Sequence, residues 1–138
     1  MPSQPIHQLV YVSRSVLAHV RELVDIVEQS RERNAGCGVT GGLLYTGAYF
    51  VQLLEGGREE VEALMLSIER DHRHTAVTTL LRRDRPARDF ARWTMAFNEY
   101  PGAEGTLALL VGQAAATVQL QQLEALLAIM YQRALLSD

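Results

Sequence analysis

Residues 38–57, GVTGGLLYTGAYFVQLLEGG, constrain this chain more than any other stretch. They read as two consecutive strands joined by a tight turn at Thr46-Gly47 and closed by a helix entry. In the second strand, Phe50, Gln52 and Leu54 share one face, and Tyr49, Val51 and Leu53 share the other. Apolar residues on both faces predict a central strand covered on both sides. Gln52 is then a polar side chain inside an apolar run. Leaving a buried amide without partners costs about 1–3 kcal/mol, so Gln52 requires either a solvated patch or a matched partner.

The rest of the chain supplies the frame. A β-rich run over 6–13 predicts a first strand, with Tyr11 on the face of Leu9 and Ser13. Helical spacing of Val16, Val20, Leu23 and Val27, with Leu17, Val24 and Ile26, predicts a helix over 16–33. Ser15 is its expected N-cap, and Asn34 and Gly36 its stop. Ser30 continues the apolar stripe towards the C-terminal end. After the hairpin, a second helix over 57–70 presents Val61, Leu64, Met65 and Ile68, with Glu59 and Glu60 in its first turn where the helix dipole favours them. It ends in a polar loop, Asp71-His72-Arg73-His74. Strands are expected over 77–82 and over 93–97, the latter with Trp93, Met95 and Phe97 on one face.

This order predicts an α+β fold: a ferredoxin-like βαββαββ sheet with two helices on one face. Beyond Pro101-Gly102 the composition shifts to helical stretches near 106–112 and 117–136, with Leu120, Leu123, Leu127 and Met130 in register. These helices are expected on the remaining sheet face, or shared there with a second subunit. The division predicted is a sheet-bearing unit over 1–100 and a helical extension over 101–138.

Composition removes several function classes. The net charge is −3, and all basic residues are Arg, so the balance does not predict nucleic acid or an anionic membrane as the main partner. Cys37 is the one cysteine, which excludes an intrachain disulfide or a Cys-rich zinc site and suits a reducing cytoplasm. No apolar run approaches the about 20 residues of a membrane span. There is no phosphate loop, nucleophile elbow or dinucleotide fingerprint, and GVTGG opens a strand, so its amides form no phosphate cradle.

Tyr11 and Gln52 can sit side by side, because the first and third strands are neighbours in such a sheet. A phenol and a carboxamide form a donor–acceptor pair. The pair either fixes register or leaves surplus amide groups for a planar heterocycle lying between the helices. Ser30, Asn34, Asp71, Arg73 and His74 ring the same opening, although each also has an ordinary capping or loop role. Trp93 and Met95 read first as core. Arg82, Arg83, Arg85, Arg88 and Arg92 alternate with Asp84 and Asp89 as a solvated face.

These segments together resemble the BLUF domains, blue-light sensors using flavin. The resemblance covers residues 8–97 and rests on LVYVS, N-A-G-C-GVTG, LLY-x-G-x-x-F-x-Q-x-LEG, D-x-RH and R-x-F-x-x-W-x-M. It implies a non-enzymatic photoreceptor binding FAD, or alternatively FMN or riboflavin, without a covalent bond. Tyr11 would be the redox-active tyrosine and Gln52 the switching glutamine. Asn34 would hold the pyrimidine edge. Arg73 and His74 would approach the ring or the ribityl-phosphate side, with Asp71 beside them. Ser30 would sit close to Gln52 or the ring. Ile26, Phe50 and Ile68 would line the apolar slot, while Trp93 and Met95 would relay the switch. Arg33 stands where the family varies. Output would pass in trans to a downstream effector protein, with the chain a homodimer or higher homo-oligomer in the cytoplasm. The competing readings on this fold are an acylphosphatase-like hydrolase, needing a phosphate loop at VSRS, and an RNA-binding module, needing an open sheet face.

Overall fold

A computed structural model describes residues 4–112 and 120–136. The strands are β1 (Ile6–Ser15), β2 (Thr40–Tyr45), β3 (Tyr49–Gly56), β4 (His74–Arg85) and β5 (Ala96–Glu99). The helices are α1 (Val20–Gly36), α2 (Arg58–Glu69), α3 (Glu104–Leu110) and α4 (Leu120–Leu136), with a 3-10 turn at Pro101–Ala103 before α3. The sheet order is β4-β1-β3-β2-β5. All pairings are antiparallel except β2 with β5, which is parallel. This is the ferredoxin-like sheet extended by one strand, as the element order predicted.

Central placement explains the composition of β1 and β3: β1 is buried from His7 to Ser13 and β3 from Phe50 to Gly56. On one face Leu9, Tyr11 and Leu54 pack against Val61, Leu64, Met65 and Ile68 of α2. Beside them Phe50, Leu43 and Met95 meet Leu23 and Val27 of α1. On the other face Val10, Val12, Val51 and Leu53 form the largest core with Leu107 and Leu110 of α3 and Leu123, Leu126 and Met130 of α4. The C-terminal helices therefore close the second face within one chain. Of the residues expected there, Leu123 and Met130 are buried and Leu127 is half-buried; the expected start at 117 lies outside the described residues.

Three local expectations are corrected. The first helix begins at Val20, not at residue 16, and Ser15 is not its N-cap. Ser15 still belongs to β1: its amide donates to Ala48 O and the next amide to Arg73 O, so the chain is held extended there. The turn is completed by Glu22, whose carboxylate accepts from the Ala18 and His19 amides. Accordingly Val16, Val20 and Val24 are exposed, and the buried stripe runs Leu23, Val27, Ser30, Asn34. His74 is not a loop residue but the first of β4, which pairs along β1 from Ser15 to Ile6.

The last correction concerns residues 93–97. The strand starts at Ala96, and Trp93 and Met95 lie on opposite faces of the sheet: Met95 with Phe97 on the α1 side, Trp93 against the α3/α4 core. Backbone groups at 93–95 are taken by α1 side chains and by Gly41 rather than by a regular ladder, so strand parity does not carry through Thr94. Gly42 permits the crossing, because the Phe90 ring lies 3.0 Å from where its Cβ would stand.

The closed second face yields a direct stability test. Leu126→Ala in α4 should cost about 2–5 kcal/mol in urea unfolding, while Leu109→Ala, at a residue 71% exposed, should stay within about 0.5 kcal/mol. Equal effects would place α4 outside the cooperative core.

Candidate chromophore slot

Register places the two central polar groups in contact. Tyr11 is the direct cross-strand partner of Gln52, and its hydroxyl donates to Gln52 Oε1 at 2.5 Å. Both side chains are nearly fully buried. Gln52 Nε2 donates to the Met95 sulfur at 3.3 Å, a weak acceptor, and has a second N–H beyond that contact. Burial pushes the Tyr11 phenol well above its ordinary value, with the positive charge of Arg33 opposing and the negative charge of Asp71 adding to the rise. The phenol is thus neutral, and its proton sits on a line to an amide oxygen.

Above this pair a narrow slot opens between α1 and α2, a concave, partly apolar site with converging polar groups of the kind that holds small molecules. Ile26, Leu43, Phe50 and Ile68 form its apolar walls, and Gln29, Ser30, Arg33, Asp71, Arg73 and His74 its polar rim. The helical contribution follows from spacing: 26, 29, 30 and 33 fall on one side of α1. His74 is fixed from both sides, with Nε2 donating to Ile68 O at 2.6 Å and Nδ1 meeting Ser13 Oγ at 2.8 Å. Arg73 grips Asp71 through two arms, Nε to Oδ1 at 2.9 Å and Nη2 to Oδ2 at 2.6 Å. Those bonds hold the Asp71 carboxyl below the usual carboxylate range.

Tyr11, Ile26, Ser30, Arg33, Phe50, Gln52, Ile68, Asp71, Arg73 and His74 all face this one slot. Three residues singled out from sequence do not line it. Asn34 is fully buried behind the slot, donating through Nδ2 to Thr94 O at 2.8 Å, and its Oδ1 has no partner among the described residues. Met95 reaches the site only through Gln52. Trp93 faces away, against Phe90 and Tyr131. Sequence reasoning missed Gln29 and Leu43. Both carried a signal, since Gln29 is three residues from Ile26 on α1 and Leu43 is the cross-strand partner of Gln52 in the hairpin.

The rival sites are not formed. The Ser15 and Val16 amides are spent on Ala48 O and Arg73 O, leaving no anion cradle at VSRS. Val10, Val12, Val51 and Leu53 are covered by helices, so that sheet face presents no base-stacking platform.

An α+β sheet with a helix-lined, polar-rimmed slot over a buried tyrosine–glutamine pair has the architecture of a small-molecule-binding domain. The chain belongs to the BLUF family, sensors of blue-light using FAD, which matches residues 6–96. It is similar to the Escherichia coli (strain K12) blue light- and temperature-regulated antirepressor BluF, 38% identical over 73 residues, 53% of this chain and 18% of that protein. Among solved structures it resembles BlsA in its photo-activated state, with a TM-score of 0.76 and 27% identity over 91% of this chain and 94% of that one. It also resembles the dark state of BlrB, a BLUF protein, with a TM-score of 0.71 and 31% identity over 88% and 96%. The chain therefore spans nearly all of two BLUF structures and less than a fifth of the curated relative. Among the described residues no helix is long and apolar enough to cross a membrane.

The buried phenol gives a pH test. Its folded value lies above the ordinary value of about 10, so folding favours the protonated form and stability must fall as pH rises past about 10. Tyr11→Phe should leave the tyrosinate absorbance of the native protein unchanged and should reduce this alkaline loss of stability. A smaller native tyrosinate signal in the variant would mean that Tyr11 titrates in the fold.

Proposed function

We propose that residues 1–100 form a photosensor that holds a flavin non-covalently in the slot, and that residues 101–138 form an extension through which the light signal reaches a second protein in trans. The observation that carries this reading is the Tyr11–Gln52 hydrogen bond at the slot floor, with a further amide N–H beyond it.

The residues fit such a ligand. A flavin ring has donors and acceptors along one edge and an apolar dimethylbenzene at the other, matching a slot with apolar walls and a polar rim. Arg33 adds a buried Nε with no partner among the described residues, a cost of about 1–3 kcal/mol that a ring acceptor would relieve. FAD is the family's stated cofactor; FMN would satisfy the same ring contacts. Because Arg73 is already paired with Asp71, it faces a ligand tail as part of a near-neutral couple rather than as a bare cation.

When bound, flavin supplies a blue-light-excited oxidant. Tyr11 is the donor at hand: it is neutral, desolvated, and hydrogen-bonded to Gln52 Oε1. Electron loss makes a phenol strongly acidic, so its proton moves along the existing bond to Oε1. When the electron returned, the O-protonated Gln52 would have to give a proton back to the Tyr11 oxygen: from Oε1, leaving an amide free to settle rotated, or from the nitrogen after rotation, leaving the imidic tautomer; either way Tyr11 would be restored as a neutral phenol. Its contact with the Met95 sulfur changes in consequence, because that contact depends on which amide atom faces the thioether. Met95 precedes β5, and Trp93, two residues earlier, packs on α4. A change at the slot floor thus has a short mechanical route to the C-terminal helices, which are the bistable element to be biased.

The E. coli relative is an antirepressor, which supports a protein partner here. Tyr131, Leu135 and Leu136 on α4 are exposed apolar residues available to such a partner or to a second copy in a homo-oligomer. Purified protein supplied with FAD should be yellow and show a small, reversible red shift under blue light. Tyr11→Phe and Gln52→Ala should each abolish that shift while flavin remains bound. Colourless protein, or an undiminished shift in either variant, would refute the reading.

A further inference from the structure

Between β4 at one sheet edge and β5 at the other, residues 86–95 must cross three strands. Four strand spacings of about 4.8 Å make about 19 Å, well under the about 33 Å that ten extended residues can span, so the path of the segment is set by its bonds and not by its length. The crossing segment lies on the α4 face, and Phe90 is buried in that core. Nearly every step is tied down. The Arg88 guanidinium donates to Gly38 O, Thr40 Oγ1 and Glu55 O. Trp93 O accepts from the Gly41 amide, Thr94 O from Asn34, and Met95 O from Arg31.

At mid-span the tie is Glu55. It stands near the end of β3, three residues after Gln52 and on the opposite face, and its side chain is fully buried. Oε1 accepts from the Phe90 amide at 2.7 Å; Oε2 accepts from the Asp89 amide at 2.9 Å and from Gln8 Nε2 at 2.9 Å. Gln8 is its cross-strand partner and accepts in turn from Arg83 Nε at 2.8 Å. A buried carboxylate is tolerated only with such saturation. Its bonds are charge-assisted, and each is about twice as strong as a neutral one.

We infer that Glu55 is a positioning residue for the switch: its carboxylate clamps the crossing segment at Asp89 and Phe90, and so sets where the Met95 sulfur meets the Gln52 amide. The inference rests on the proposed photoswitch for its signalling consequence, but the clamp is testable without flavin. Glu55→Gln keeps the shape of the side chain and turns one acceptor into a donor aimed at N–H groups. In the flavin-free protein the variant should move the methyl resonance of Met95 but not that of Met65. It should also raise quenching of Trp93, the single tryptophan, and speed exchange of the Asp89 and Phe90 amides by about tenfold. With flavin bound, dark recovery should change by about threefold or more, and no further change should follow when Met95→Leu is already present. Glu59→Gln, at an exposed position of α2, should do none of this.

An unmoved Met95 resonance with unchanged recovery in Glu55→Gln would overturn the inference. Loss of the light-induced shift from the unsubstituted protein would instead sink the photoswitch reading and leave the flavin-free measurements to judge the clamp. If Glu55→Gln does not fold, amide exchange in the unsubstituted protein decides: protected Asp89 and Phe90 amides support the clamp, and unprotected ones overturn it.

Discussion

The antiparallel register of β1 on β3 is the constraint on which the rest depends. It sets Tyr11 opposite Gln52 and, three residues along on the other face, Gln8 opposite Glu55. A slip by one residue would exchange every inward and outward side chain. Both pairs are buried, so the slip would strand two polar pairs without partners. The two pairs make register expensive to change and give each face of the sheet one polar anchor.

Two covered faces then divide the labour. Helices α1 and α2 do not close fully over the first face, and the gap between them is the slot. Helices α3 and α4 close over the second, where the apolar core is largest. The crossing segment touches both layers: Met95 on the slot side contacts Gln52, and Trp93 on the other contacts Tyr131. A change of hydrogen-bond partner at Gln52 is small in energy. Under the proposed switch it would gain consequence because Met95 and Trp93 are only two residues apart on a segment tethered by backbone hydrogen bonds.

Much of this was legible in the chain. Alternation and helical spacing located the elements of the ferredoxin-like sheet, and the doubly apolar β3 announced its central place. The Tyr11–Gln52 pairing followed from topology, and the slot residues on α1 and at the end of α2 followed from periodicity. What failed did so for definite reasons. Ser15 looked like a helix cap, but its amide and the next one pair with Ala48 and Arg73, which are distant in sequence. Trp93 and Met95 looked co-facial because strand parity was assumed through a segment whose backbone is bonded to side chains. Asn34 does stop α1 as expected, its carbonyl accepting from the Cys37 and Val39 amides, but that its side chain would reach Thr94 could not be read from the chain.

Sequence by itself determined the fold class, the centrality of the hairpin and the need for a partner at Gln52, because burial and periodicity are local properties that residue order encodes directly. Only the tertiary structure decided which way Met95 and Trp93 face, that Asp71 occupies Arg73, and that Glu55 holds the crossing segment. Each of those depends on donors and acceptors brought together by folding. Hydrogen bonding is satisfied by whichever group lies within reach in space, and spacing along a chain does not say which group that will be.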